Sequence, residues 1–82
     1  MALNAMKHSL AELKPGEHAA LIEIHAGKGA LGRMSSLGFT PGVDVEMIQN
    51  YGRGPLIVTV RGTRIALGRL EAEKLLVQRA AA

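Results

Sequence analysis

Gly27, Gly29 and Gly32 spell G-x-G-x-x-G within His25-Ala26-Gly27-Lys28-Gly29-Ala30-Leu31-Gly32. In dinucleotide-binding folds that spacing lets a strand-to-helix turn press its backbone amides against a pyrophosphate. Glu46 stands near the position, about 20 residues on, where such folds place a ribose-binding carboxylate. Three histidines, His8, His18 and His25, raise metal ligation as a second chemistry. On one expected strand the odd separation of His18 and His25 points them to opposite faces, so they do not chelate together. Glu23 and His25 share a face and are the candidate metal pair, but protein sites commonly supply three or four ligands. No resident metal or other cofactor is expected. Ser35 and Ser36 have no histidine beside them in sequence and read as solvated helix residues. Without a nucleophile beside a base or paired carboxylates, an enzyme is not expected.

Length decides against the dinucleotide reading. The chain has 82 residues, one small domain, whereas a doubly wound sheet needs two βαβαβ halves. There is no cysteine to staple a thin core or hold a metal, and secretion is not suggested. No stretch approaches the ~20 apolar residues of a membrane span, and the N-terminus lacks an apolar run of signal type. A stand-alone cytoplasmic domain is expected, reaching a membrane only through a partner. The net charge of +3 permits an acidic partner or nucleic acid, but the aromatics are only Phe39 and Tyr51, too few for base stacking.

The elements read in order as follows. Ser9 to Glu12 forms an S-x-x-E capping box opening a short turn that carries Leu10 and Leu13 inward. Lys14-Pro15-Gly16-Glu17 suits a type II turn, with glycine at the position that requires positive φ. His18 to His25 alternates as a strand with Ala20, Ile22 and Ile24 on the apolar face. After Pro41-Gly42, Val43 to Asn50 alternates with Val43, Val45 and Met47 inward and Glu46 outward. Leu56 to Val60 and Ile65 to Leu67 flank a tight hairpin at Arg61-Gly62-Thr63-Arg64. Leu70 to Leu76 reads as a helix, Val77-Gln78 as a last edge strand, and Arg79 to Ala82 as a frayed tail.

The glycine stretch then needs no ligand. Lys28 to Leu37 reads as a short helix with Leu31, Met34 and Leu37 on one apolar stripe. Gly38 sits at C′, and Phe39 and Met34 are the C″ and C3 positions that meet in a Schellman ending. Gly32 alone lacks a backbone reason: inside a helix it costs about 0.5–1 kcal/mol relative to alanine. A close approach, within the fold or to a partner, would account for it. This order predicts a mainly β fold: a small SH3-like, partly open antiparallel barrel with a short inserted helix and a C-terminal helix.

Leu37-Gly38-Phe39-Thr40-Pro41-Gly42, the Val60 to Leu67 segment VRGTRIAL, and Glu71 to Val77, EAEKLLV, together resemble the FeoA family. The likeness runs from Ser9 to Val77, within a single domain of residues 1–82 whose core is about 9–78. It implies a non-catalytic accessory protein of ferrous iron transport that docks on the cytosolic GTP-binding part of the membrane transporter FeoB and alters its assembly or activity. Related domains also end DtxR-type repressors. This chain departs from the family in Gly32-Arg33-Met34-Ser35, where many members carry an arginine run, in Gly68, and in the loop Tyr51-Gly52-Arg53-Gly54-Pro55.

The expected partner surface combines Leu31, Gly32, Arg33, Met34 and Leu37 of the helix, serving as core or as contact, with Arg53, Arg61 and Arg64. Arg69 and Arg79 extend the same basic patch, suited to an acidic protein face because guanidinium forks bind carboxylates bidentately. The alternative is an RNA-binding barrel of KOW type, which Gly27-Lys28-Gly29 and Gly32 echo. It needs a continuing strand where the pattern is helical, so no nucleic acid is expected.

Overall fold

Two Pro-Gly turns and one Arg-Gly turn set the strand boundaries. At the first, Gly16 has φ +91 and Glu17 N–H donates to the Lys14 carbonyl at 3.0 Å, as a type II turn requires. The computed structural model describes residues 7–79. The frayed tail expected from Arg79 to Ala82 does not begin at Arg79, which ends the last strand and pairs with Glu17; residues 80–82, and residues 1–6 of the N-terminus read as lacking an export signal, lie outside the described ones.

The elements are β1 (His8–Ser9), a 3-10 turn (Leu10–Glu12), β2 (His18–Ile24), α1 (Lys28–Ser36), β3 (Asp44–Gln49), β4 (Leu56–Val60), β5 (Thr63–Leu67), α2 (Arg69–Glu73) and β6 (Leu75–Arg79). One six-stranded sheet runs β1-β6-β2-β3-β4-β5, and every pairing is antiparallel. The mainly β expectation with two short helices holds, and the sheet is not closed. Antiparallel neighbours on both sides of α1 exclude a dinucleotide crossover. Gly29 and Gly32 lie inside α1, so the KOW strand is absent there.

Three details differ from the sequence reading. The core face of β2 is Ala19 and Leu21, each 1 % exposed, not Ala20 and Ile22. A register shift between Leu21 and Glu23 against β6 inserts a residue, and this returns Ile24 to the core side. The last helix stops at Glu73, with Lys74 as its cap, and Leu75 opens β6. Leu75 and Val77 are both fully buried and pair with Ile24 and Leu21, so sheet pairing overrides the helix propensity of Glu71 to Leu76. That strand is interior, between β1 and β2, not an edge. Strand β1, pairing His8 with Val77, is too short to show as a pattern.

The core joins Leu10 and Leu13 of the opening turn to Phe39, Val45, Met47, Val58, Leu67 and Leu75, all at 0–1 % exposure. Glu12 accepts the Ser9 N–H at 3.1 Å, so the acidic half of the expected capping box forms.

Candidate functional site

Helix α1 is held to the sheet by few residues. Gly27 is its N-cap, and its carbonyl accepts the Leu31 N–H at 2.8 Å. At the other end Gly38 (φ +105) reverses the chain: Phe39 N–H donates to the Met34 carbonyl and Gly38 N–H to the Ser35 carbonyl, both at 3.0 Å. These are the paired bonds of the expected Schellman ending, and they swing Phe39 into the core. Within the expected stripe only Met34 is buried (3 % exposed), while Leu31 and Leu37 stand 41 % and 39 % exposed. Gly32 faces outward, and a Cβ there would meet nothing within 4 Å. A close approach inside the fold therefore does not explain it.

The hairpin meets α1 at its C-terminal end. Arg61 (φ 52) and Gly62 (φ 78) form the two-residue turn between β4 and β5, both positive as type I′ demands. The Arg61 stem passes beside Gly38: Cδ lies 3.5 Å, and Val60 Cγ1 3.8 Å, from the point where a Cβ on Gly38 would sit. The segments LGFTPG and VRGTRIAL therefore touch, which ties the two sequence signatures to one contact.

The five expected arginines do not form one patch. Arg79 pairs with Glu17 at 3.1 Å and donates to the Glu12 carbonyl at 3.2 Å. Arg69 is half-buried, donates to Asn50 Oδ1 at 2.7 Å, and has a buried Nε with no partner among the described residues. Arg33, on the helix, pairs with Glu71 Oε2 at 2.7 Å, while Glu71 Oε1 accepts the Gly68 N–H at 3.1 Å; the pair ties α1 to α2. Arg53, Arg61 and Arg64 are exposed, and none is ion-paired among the described residues. Between Met47 and Leu70 the chain has four arginines and no carboxylate, but Arg53 lies in the loop before β4 and Arg61 in the turn after it, at opposite ends of that strand, so only Arg61 and Arg64 share the hairpin.

Glu23 and His25 do touch, Oε2 to Nε2 at 2.5 Å, but Lys7 occupies the other carboxylate oxygen at 3.1 Å. These hydrogen bonds, His25 first and then Lys7, hold the Glu23 carboxyl below its usual range. His18 binds Asp44 through Nδ1 at 2.9 Å, with Glu46 at 3.9 Å from Nε2. The β2 register shift breaks the parity argument that separated His18 from His25; seven residues of extended chain, roughly 23 Å, keep them apart instead. Among the described residues no three His, Cys, Asp or Glu side chains gather for a metal. A dent of about 50 Å³ between Ile24, Ala30, Met34, Leu75, Glu71 and Lys74 is far below the roughly 300–1,000 Å³ of small-molecule sites. What the geometry offers is a surface: an open helix face beside a basic hairpin.

Comparison with known proteins gives this surface its context. The FeoA domain family model matches residues 8–79. The chain belongs to the FeoA family. It is 38 % identical over 71 residues to a Methanocaldococcus jannaschii protein named "Putative Fe(2+) transport protein A", covering 87 % of this chain and 85 % of that one. A crystal structure of an iron uptake regulatory protein (FeoA) superposes with TM-score 0.86 at 31 % identity, over 92 % of this chain and all of the other. Stenotrophomonas maltophilia FeoA complexed with zinc, described as a procaryotic SH3 domain protein, aligns with TM-score 0.75 at 33 % identity, over 85 % of this chain and 88 % of that one. A manganese-dependent transcriptional repressor shares the fold (TM-score 0.83) at 17 % identity over 42 % of its length, a likeness of fold alone.

One structural residue of this family member escaped the sequence reading. Asn50, at the end of β3, donates from Nδ2 to the carbonyls of Ala11 (3.0 Å) and Leu13 (2.7 Å). Its Oδ1 accepts from Gly52 N–H (2.9 Å) and Arg69 (2.7 Å). All of the amide's capacity is therefore engaged, clipping the opening turn, the β3–β4 loop and α2 together. An Asn before a Tyr-Gly loop signals a turn in sequence; the far partners it reaches do not show.

Proposed function

We propose that the chain is a non-catalytic accessory protein of ferrous iron transport that docks on the cytosolic GTP-binding domain of a FeoB-type transporter and alters its assembly or turnover. Family membership supplies the iron transport setting. The exposure of Leu31 and Leu37 on a helix whose third apolar residue is buried carries the docking reading. Apolar anchors ringed by charge are how interfaces concentrate energy. Gly32 between them leaves the backbone accessible for close approach. Arg61 and Arg64 supply the rim that steers an acidic face toward it. The protein works at the cytoplasmic side and reaches the membrane through its partner.

Titration calorimetry of the purified chain against the separate cytosolic domain of FeoB, without nucleotide, with GDP and with a non-hydrolysable GTP analogue, tests this. Binding in at least one state is expected. A Leu31→Glu variant, folded by its melting curve, should weaken binding by more than tenfold, roughly 1.4 kcal/mol. Binding in no state overturns the proposal.

A further inference from the structure

Strand β5 is an edge of the sheet. It pairs with β4 through five consecutive residues, Thr63 to Leu67 against Val60 to Leu56, without a register shift. The β2–β6 and β3–β4 pairings both carry such shifts. The other edge, β1, has only two residues.

The turn fixes which backbone groups of β5 face outward. A two-residue turn is closed by a hydrogen-bonded pair, here Val60 with Thr63, and antiparallel pairing alternates from there. The N–H and C=O groups of Thr63, Ile65 and Leu67 therefore point to β4, while those of Arg64 and Ala66 point away. Among the described residues nothing bonds to those outward groups, and both residues are exposed. Side chains alternate as well: Ile65 and Leu67 lie toward the core, and Arg64 and Ala66 on the outer face.

The geometry points to the free edge of β5 as a strand-addition site for an extended segment of a partner protein in which acidic and apolar residues alternate. An added strand completes the ladder through Arg64 and Ala66. Its acidic side chains fall on the outer face beside Arg64, and its apolar ones beside half-buried Ile65, whose flank the sheet leaves open. The carboxylate in the same cross-strand row, Glu46, lies across Thr59 on β3 and already faces His18. A charged residue on an edge discourages indiscriminate pairing; an arginine within a stretch free of carboxylates discourages basic and admits acidic strands. For the same reason a second copy is disfavoured, since β5 against β5 sets two arginine-bearing hairpins together. The proposal rests on the docking reading for the identity of the partner, but its contact is the backbone of β5 and not α1.

The test titrates the 15N-labelled full chain with the capped peptide Glu-Val-Glu-Val-Glu-Val-Glu and with its lysine counterpart. Expected are chemical-shift changes centred on β5 and about tenfold slower hydrogen exchange at the Arg64 and Ala66 amides with the glutamate peptide alone. Ala66→Pro removes an outward N–H without touching the β4 ladder and should abolish the effect. Arg64→Glu should reverse the peptide preference and stands in should the proline variant not fold. Equal response to both peptides, changes confined to α1, or slowed exchange without peptide in a chain that sediments as a dimer overturns the proposal. Transporter binding that persists unchanged in Ala66→Pro together with a silent peptide overturns this inference and leaves the docking proposal standing. Peptide binding without transporter binding overturns the docking proposal alone.

Discussion

Replacing Gly32 with alanine separates what the fold needs from what a partner needs. Gly32 sits mid-way along α1 (Lys28–Ser36), its φ is not among the positive ones, and a Cβ would meet nothing within 4 Å. The native backbone can therefore accept a methyl group without strain. Alanine then removes the ordinary cost of a glycine inside a helix, about 0.5–1 kcal/mol, much of it by restricting the unfolded chain. For a domain of this size 1 kcal/mol corresponds to roughly 4–8 °C in Tm, so a rise of about 2–8 °C is expected by calorimetry. If a partner approaches the helix backbone at Gly32, the same methyl group should lower transporter affinity about tenfold, roughly 1.4 kcal/mol. Opposite signs for stability and binding are the signature. A lower Tm would refute the open helical environment of Gly32. A higher Tm with unchanged affinity would refute its place in the docking surface.

Gly38→Ala should behave oppositely, because its φ of +105 and the Arg61 stem at 3.5 Å leave no relaxed place for a Cβ; a loss of about 1–3 kcal/mol in urea melts is expected. Asn50→Ala strips four hydrogen bonds from the clip over the opening turn and should cost about 2–3 kcal/mol, with the Leu10 to Leu13 amides losing hydrogen-exchange protection first. The hydrogen bond to Asp44, and then the charges of Asp44 and Glu46, raise the His18 pKa above 6.5. The stability this contributes is complete below about pH 6.5 and is lost as pH rises through the raised folded value. A His18 ring titration at or below about 6.5 by NMR would contradict the pairing.

Local grammar was legible wherever the determinants are near neighbours. Gly38, Phe39 and Met34 announce the helix ending because a Schellman motif is made by residues within one turn, and Arg61-Gly62 announces the hairpin because only its two φ angles matter. The β2 face was misread because a bulge is set by what lies opposite, here β6, and alternation in β2 alone cannot register it. Residues 71–76 favour helix locally, yet Leu75 and Val77 serve as strand because burial between β1 and β2 outweighs a propensity difference of under 1 kcal/mol per residue. Among the candidate site residues, Leu31, Met34 and Leu37 look alike in the pattern; only packing separates the one that anchors the helix from the two that remain open.

The order of β2, α1, β3, β4 and β5 with their turns, and the family, follow from the sequence by itself, since each rests on residue types at short, fixed spacings. Tertiary structure alone decided that Arg33, Arg69 and Arg79 find partners within the molecule while Arg53, Arg61 and Arg64 stay exposed and without an ion pair among the described residues. It also decided that the LGFTPG and VRGTRIAL segments meet at Gly38 and Arg61. Charge and apolar character are properties of a residue, but whether they are satisfied at home or offered to a partner depends on which distant groups the fold brings within reach.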